Sequence, residues 1–312
     1  RQLVGLHRTE QRRQDDRSPS LCALGSRTES LAGQDYGDSS GPKPTTLKHK
    51  IVITVEGILD DEPWTCALEF DYGNTESFHC RPHDDTLDTS VALSRFGKIA
   101  ERHRIVYLPP MSGLADREHR KEPGEILFLI GQGQTAQVLR NLCWQLHQKD
   151  DEGWQTLCRQ MNTLFGIHLN DPVYQPARAE LTLSYREPSG LELDIDPSGR
   201  GCQQVLLLLS YMLANPGALL LLDEPDAHLE ILRQREIYSV MTELADQSGS
   251  QIVAASHSEV ILQEAGDRDV LVSFAGRPHR IDTQQAKAQL RKALESISFA
   301  DYYMVEASGW VI

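Results

Sequence analysis

At 312 residues the chain is long enough to bury one large core or two ordinary ones. Its 40% hydrophobic and 24% charged residues describe a soluble globular protein, and no apolar run approaches bilayer-spanning length, so no membrane partner is expected. A formal net charge of -14 argues against a broad basic surface for nucleic acid, though not against a local basic groove.

The chain begins at Arg1, and residues 1–47 hold charge clusters and Ser/Gly/Pro breaks with almost no apolar periodicity. They are expected to be irregular. From Lys48 the pattern changes. In KIVITVEGIL, Ile51, Ile53 and Val55 alternate with Val52, Thr54 and Glu56, and CALEFDYG repeats the period with Cys66, Leu68 and Phe70. This predicts antiparallel strands joined by turns at DDEP and YGNT, a β arm over about 48–104. HCRPHDD offers His79, Cys80, His83, Asp84 and Asp85 to a metal, but with no second cluster at finger-like spacing a turn after a strand is the better reading.

IVYLPP, 105–110, reads as a strand stopped by prolines, and TAQVLRNLCWQLHQ sets Val138, Leu139, Leu142 and Leu146 on one helical face. The β arm and this helical region make up 48–180. Gln132 and Gln134 read as solvated loop residues. LTLSYREPSGLELDI, 181–195, predicts a hairpin. QQVLLLLSYMLANP, ALLLLDEP, HLEILRQREIYSVMTELAD and QIVAASHS then alternate helix, strand, helix, strand, which predicts a parallel α/β lobe over 181–275. Residues 276–312 read as a helical linker. Six cysteines without any C-x-x-C pair read as reduced cytoplasmic thiols.

The strongest chemical signal is LLLLDEPDAHLE, 219–230. Four consecutive leucines suit a central parallel strand, which puts Asp223 and Glu224 at its carboxyl end, where ligands of open α/β sheets bind. There Asp223 suits a hydrated Mg²⁺, and Glu224 suits the water that attacks the γ-phosphate of a nucleoside triphosphate. For Asp-Glu alone a buried strand with a polar exit is the better reading; Pro225, Asp226 and His228 tip the balance. The helix after this strand is long enough for a right-handed crossover, which would return QIVAA as a parallel neighbour. His257 then lies beside the same exit, in reach of a γ-phosphate. Upstream, DPSGRGCQQVLLLL sets Ser198, Gly199, Gly201 and Gln203 at the start of an apolar helix, whose free amides and dipole favour an anion. Alone, that segment is better read as a plain helix cap; its place just ahead of the DEP strand favours the anion site.

In this order the segments resemble the head of ABC-class ATPases. The wording SGRGCQQVLLLLSYMLANPGALLLLDEPDAHLEILRQREIYSVM, followed by GSQIVAASHSEVIL, is similar to the AAA-domain ATPases allied to the OLD (overcoming lysogenization defect) nucleases, also labelled AbiEii-type toxin ATPases. The resemblance runs from about Lys48 to Ile312 and is specific between 196 and 262. It implies an α/β fold, a P-loop NTPase head of the ABC type with an antiparallel β arm and a helical insertion. ATP and Mg²⁺ would be the cofactors and ATP hydrolysis the activity. It implies Asp223 and Glu224 as the Walker B pair, Asp226 to His228 as the D-loop and His257 as the switch histidine. Ser198 to Gln204, with Gly199, Gly201 and Gln203, would be a divergent signature gripping the nucleotide of a facing subunit. The expected active unit is therefore a head-to-head homodimer, in a cytoplasmic DNA-processing or anti-phage system of bacteria. DYYMVEASGWVI resembles the linker and first strand leading into a Toprim nuclease domain. DNA is an expected partner only through that domain, and no nuclease centre is expected in this chain.

No G-x-x-x-x-G-K-[ST] occurs. Gly97-Lys98 is followed by Ile99 and has Ala92 where the first glycine belongs. In the family the loop lies close to the amino terminus. Back-translated and shifted by one nucleotide, residues 8–17 are permitted by the codons to spell GPNNAGKTTA. A frame-shifted or mis-called start that removed the phosphate loop is therefore expected. The rival readings are a non-catalytic remnant, limited to dimerisation or partner binding, and a transporter ATPase subunit. The long stretch ahead of the signature and its divergence count against the transporter.

Overall fold

The computed structural model describes residues 3–7, 20–30, 49–59, 62–72, 78–83, 94, 97, 104–256, 258–265, 269–273 and 279–281. The chain divides into two compact units, one of Arg1–Arg12 with Ile105–Ile312, the other of Arg13–Arg104. Strand β1 (Leu3–His7) belongs to the first.

The second unit holds β2 (Ser20–Ser30), β3 (His49–Leu59), β4 (Glu62–Tyr72) and β5 (Phe78–His83), an antiparallel sheet in that order. The alternation read from the sequence appears here as register: Ile51 opposes Phe70, Ile53 opposes Leu68 and Val55 opposes Cys66. Directly opposed residues share a face, so these apolar pairs lie on one side of the sheet. Arg81 crosses to the buried Glu69, Nη2 to Oε1 at 2.6 Å. Strands β1 and β2 lie within the stretch expected to be irregular. Alternation is weak in both, and it is pairing with β14 and β3, distant in sequence, that gives them their form.

The first unit continues with β6 (Ile105–Leu108), β7 (Glu118–His119), α1 (Pro123–Gly131), α2 (Leu139–Lys149) and α3 (Asp151–Phe165). Short strands follow: β8 (His168–Leu169), β9 (Val173–Gln175), β10 (Glu180–Thr182), β11 (Ser184–Arg186) and β12 (Glu192–Asp194). Next come α4 (Arg200–Leu213), β13 (Leu219–Asp223), α5 (Ile231–Ser248) and β14 (Gln251–Ser256). The described chain closes with α6 (Glu259–Glu264), β15 (Asp269–Ser273) and β16 (His279–Arg280). The expected hairpin over 181–195 is narrower: β11 and β12 pair, whereas β10 joins β7 and β9 in a separate sheet. Strand β16 lies where a helical linker was expected, since it pairs with β15.

The central sheet runs β16-β15-β1-β14-β13-β6. Strands β6, β13 and β14 are parallel, as a crossover through α5 requires. Strand β1 is antiparallel to β14 and β15, so the sheet is mixed rather than wholly parallel. No crossover helix joins β1 to its neighbours, so the handedness rule does not fix its direction.

Helices α2, α3 and α4 pack together in the core. The stripe Val138, Leu139, Leu142 and Leu146 is buried as its spacing predicts. So are Trp154, Leu157 and Met161 of α3 and Leu206 to Leu209 of α4. Each such side chain contributes about 1.5–3 kcal/mol on burial. Asp150 caps α3, accepting from the Gly153 amide at 2.9 Å, and Gly166 ends that helix at φ +69°. Among the described residues no helix is long and apolar enough to cross a membrane.

Candidate functional site

The leucine run fixes where the carboxylates emerge. Leu220 and Leu222 are buried, and the parallel ladder to β14 carries Leu222 opposite Ala254 and Asp223 opposite Ala255. The Glu224 amide extends the ladder by donating to Ala255 O at 2.8 Å. There the backbone swings to φ +46°, a region uncommon for a residue with a side chain. Such conformations cost on the order of 1–3 kcal/mol and persist where the surroundings over-determine them. The turn closes through Ala227 N to Glu224 O at 3.0 Å and Leu229 N to Asp226 O at 3.2 Å.

Asp223 is half-buried, and its Oδ2 lies 3.4 Å from the Tyr107 hydroxyl. Burial, then the Asp223 charge and this contact, push the Tyr107 phenol above its ordinary range. Among the described residues no three His, Cys, Asp or Glu side chains converge as a self-sufficient metal cage. Mg²⁺ does not need one, because it is commonly held by one or two carboxylates, waters and substrate phosphates. Asp223, at a strand's carboxyl end, fits that role, and the ion would there offset phosphate charge. Cys80, His79 and His83 lie on β5, and Asp84 and Asp85 lie outside the described residues.

Asp226 is 8% exposed and turned inward, where its Oδ1 accepts from Ser256 Oγ at 2.7 Å. Ser256 Oγ also accepts from the Ser258 amide at 2.9 Å. Ser258 Oγ donates to Gln234 Oε1 at 2.7 Å and caps α6 by accepting from the Ile261 amide at 3.2 Å. Position 257 lies outside the described residues. The serines on either side of it are tied to the turn after β13, to α5 and to α6.

At the start of α4, Gly199 is the N-cap at φ +84°, where a side chain is strained. Ser198 Oγ donates to Ile195 O at 2.7 Å. Gln203 is buried, and its Nε2 donates to Asp196 O at 2.8 Å and Ile195 O at 3.3 Å, so its amide braces the preceding turn. A Cβ on Gly201 would meet His228 O at 2.9 Å and Leu229 Cδ2 at 3.2 Å. Close approach of the chain's own turn therefore favours a glycine here. His228 is exposed, at φ +64°. The α4 start and the 226–229 turn thus meet, and that turn leads directly out of the Asp223–Glu224 exit.

Sequence reasoning missed two participants, Tyr107 and Arg140, and named Gln204 only as the end of the signature segment. Tyr107 sits one strand away with no motif. Gln204 is buried and accepts from the Met111 amide at 2.7 Å, fixing the loop after β6 to α4. Arg140 is buried and reaches Asp194 Oδ1 at 3.1 Å and Asp196 Oδ1 at 2.5 Å, bracing the entry to α4. Gln132 and Gln134 are exposed, as expected.

Strand β1 runs the wrong way to deliver a phosphate loop here. Leu3 opposes Ser256 and His7 opposes Ile252, so the chain leaves β1 at the sheet edge opposite Asp223. The segment 8–17 lies outside the described residues.

Residues 184–263 match the family described as "AAA domain, putative AbiEii toxin, Type IV TA system". The matched segment is of the AAA/ABC ATPase-head kind. The chain is 32% identical over 117 residues to the zinc import ATP-binding protein ZnuC of Pseudomonas entomophila, covering 35% of this chain and 45% of that protein. The same figures hold for ZnuC of Pseudomonas putida. The match thus spans less than half the length of these curated relatives. Solved structures similar in fold include the SMC head domain from Thermotoga maritima, with TM-score 0.40, 12% identity, and coverage of 69% of this chain and 67% of that one. An Smc head domain with an extended coiled coil, bound to the C-terminal domain of ScpA derived from Pyrococcus furiosus, gives TM-score 0.42 and 12% identity over 80% of each chain.

Proposed function

We propose that this chain is the ATP-binding and ATP-hydrolysing head of an OLD-like ABC-class ATPase from a bacterial DNA-processing or anti-phage system, impaired as written because it carries no phosphate loop. The observation that carries the reading is the parallel β13–β14 pair, which ends with Asp223 and Glu224 side by side at its exit. In this reading Asp223 holds the hydrated Mg²⁺ of MgATP, and Glu224 takes a proton from the attacking water. His257 would contact the γ-phosphate. The α4 start, with Ser198 and Gly199, would meet the nucleotide of a second copy in a head-to-head dimer. DNA would be engaged only through a Toprim domain.

The test restores an in-frame G-x-x-x-x-G-K-[ST] segment ahead of β3 and measures ATP binding and turnover. Glu224→Gln should retain ATP binding and lose turnover by about 10²–10⁴-fold, because the amide cannot accept the proton. It should also trap the dimer. Hydrolysis at the parent rate would remove Glu224 from its role.

The second reading is a non-catalytic remnant that dimerises or binds partners. The direction of β1 favours it, since β1 ends at His7 beside Ile252, at the end of the sheet away from the carboxylates. A loop-restored chain that binds no ATP would decide for the remnant.

A further inference from the structure

We propose that Tyr107 is the positioning residue of the cation site, its phenol orienting Asp223 so that the other carboxylate oxygen faces a divalent ion. This rests on the reading of Asp223 as the group that holds Mg²⁺. Tyr107 opposes Leu221 in the β6–β13 ladder. Opposed residues share a face, and so do residues two apart on a strand, so Tyr107, Leu221 and Asp223 stand on the same side of the sheet. Two residues of strand span about 6.6 Å, a step the tyrosine ring covers to place its hydroxyl 3.4 Å from Asp223 Oδ2. Among the described residues it is the one side chain hydrogen-bonded to Asp223.

The tyrosine is itself held. Its backbone is laddered to β13, and its carbonyl accepts from the Tyr211 hydroxyl at 3.1 Å, from a residue buried in α4. At 3.4 Å the bond to Asp223 is long and weak, so it biases the carboxylate's orientation and leaves its charge in place. Oδ2 is engaged, and among the described residues no side chain is hydrogen-bonded to Oδ1, which can face a cation or its water shell. Outer groups that hydrogen-bond a ligating carboxylate set its orientation, and losing one weakens metal affinity about 10–100-fold.

The experiment uses the chain as written and titrates Mn²⁺ alone, following the free-ion signal by electron paramagnetic resonance. Parent, Tyr107→Phe, Asp223→Asn and Tyr211→Phe are compared, with thermal melts to check the fold. Tyr107→Phe should weaken Mn²⁺ binding about 10-fold at an unchanged melting midpoint, and Asp223→Asn should abolish it. Tyr211→Phe removes one brace of the Tyr107 backbone without touching the carboxylate and should weaken binding less than Tyr107→Phe does. Parent-like affinity in Tyr107→Phe overturns the proposal and leaves Asp223 in place, as does equal weakening in Tyr211→Phe. Parent-like affinity in Asp223→Asn, or no saturable binding by the parent, overturns the cation site itself.

Discussion

Ser256 Oγ donates to Asp226 Oδ1 across 2.7 Å, joining the last residue of β14 to the turn after β13. Both residues are buried, so a carboxylate deprived of that hydroxyl has little water to replace it. Ser256→Ala should therefore destabilise the protein by about 1–3 kcal/mol. Urea unfolding checks this, and a double cycle with Asp226→Asn should show non-additive costs, as contacting residues do. Additive costs would mean that the bond ties nothing together.

Gly201→Ala tests the close approach at the α4 start. Alanine favours a helix interior over glycine by about 1 kcal/mol, but here its Cβ would lie 2.9 Å from His228 O, a backbone atom. Overpacking of this kind costs about 1–3 kcal/mol. The expected net result is a lowered denaturation midpoint. A raised midpoint would show that the turn yields freely and that Gly201 is not needed for packing.

Arg140→Met tests the brace before α4. Arg140 Nη1 lies 3.9 Å from Glu118 Oε2, and the Glu118 side chain is fully buried. Removing one partner of a buried pair costs about 3–5 kcal/mol. The Arg140 and Asn141 amides and the Asn141 side chain still donate to Glu118, which points to the lower end of that range. Burial already raises the Glu118 acid, against the lowering effect of these bonds and of Arg140. Without the guanidinium it rises further. An acid raised in the folded state stabilises most below its unfolded pKa and loses that contribution as pH rises through the folded value. The deficit of Arg140→Met should therefore widen as pH rises above the ordinary carboxylate range. A deficit that narrows would contradict the assignment.

How much was legible depended on whether a residue's role was local. The 3.6-residue spacing of Leu139, Leu142 and Leu146 expresses burial on one face, and the alternation at Ile51, Ile53 and Val55 expresses strand register, so their elements could be read directly. Asp223 and Glu224 were legible because a leucine run sets both the strand and its exit. Gln203 and Gly201 were read as ligand-facing because a helix start exposes amides. What they meet within the chain, Asp196 O beside Gln203 and His228 O beside Gly201, depends on how the α4 start meets the turns around it and was not legible. Tyr107 and Arg140 were invisible for a similar reason: their partners lie 116 and 54–56 residues away. Nothing local announces the direction of β1, which its pairing with β14 and β15 sets.

On DNA, a formal charge of -14 disfavours non-specific phosphate binding. Plasmid incubated with the chain and Mg²⁺ or Mn²⁺ should remain uncut on a gel. Nicking that disappears on mutating Asp84 and Asp85 would instead assign chemistry to HCRPHDD.

Calorimetric titration of MgATP into the 312-residue chain tests the central claim most directly: a carboxylate exit stands here without the loop that should cradle the triphosphate. Backbone amides and a loop lysine normally supply most of that grip, and in this fold β1 leaves the sheet at the edge opposite Asp223. The account predicts no saturable heat in the micromolar range and no turnover. Micromolar affinity for MgATP, lost in Asp223→Asn, would contradict it.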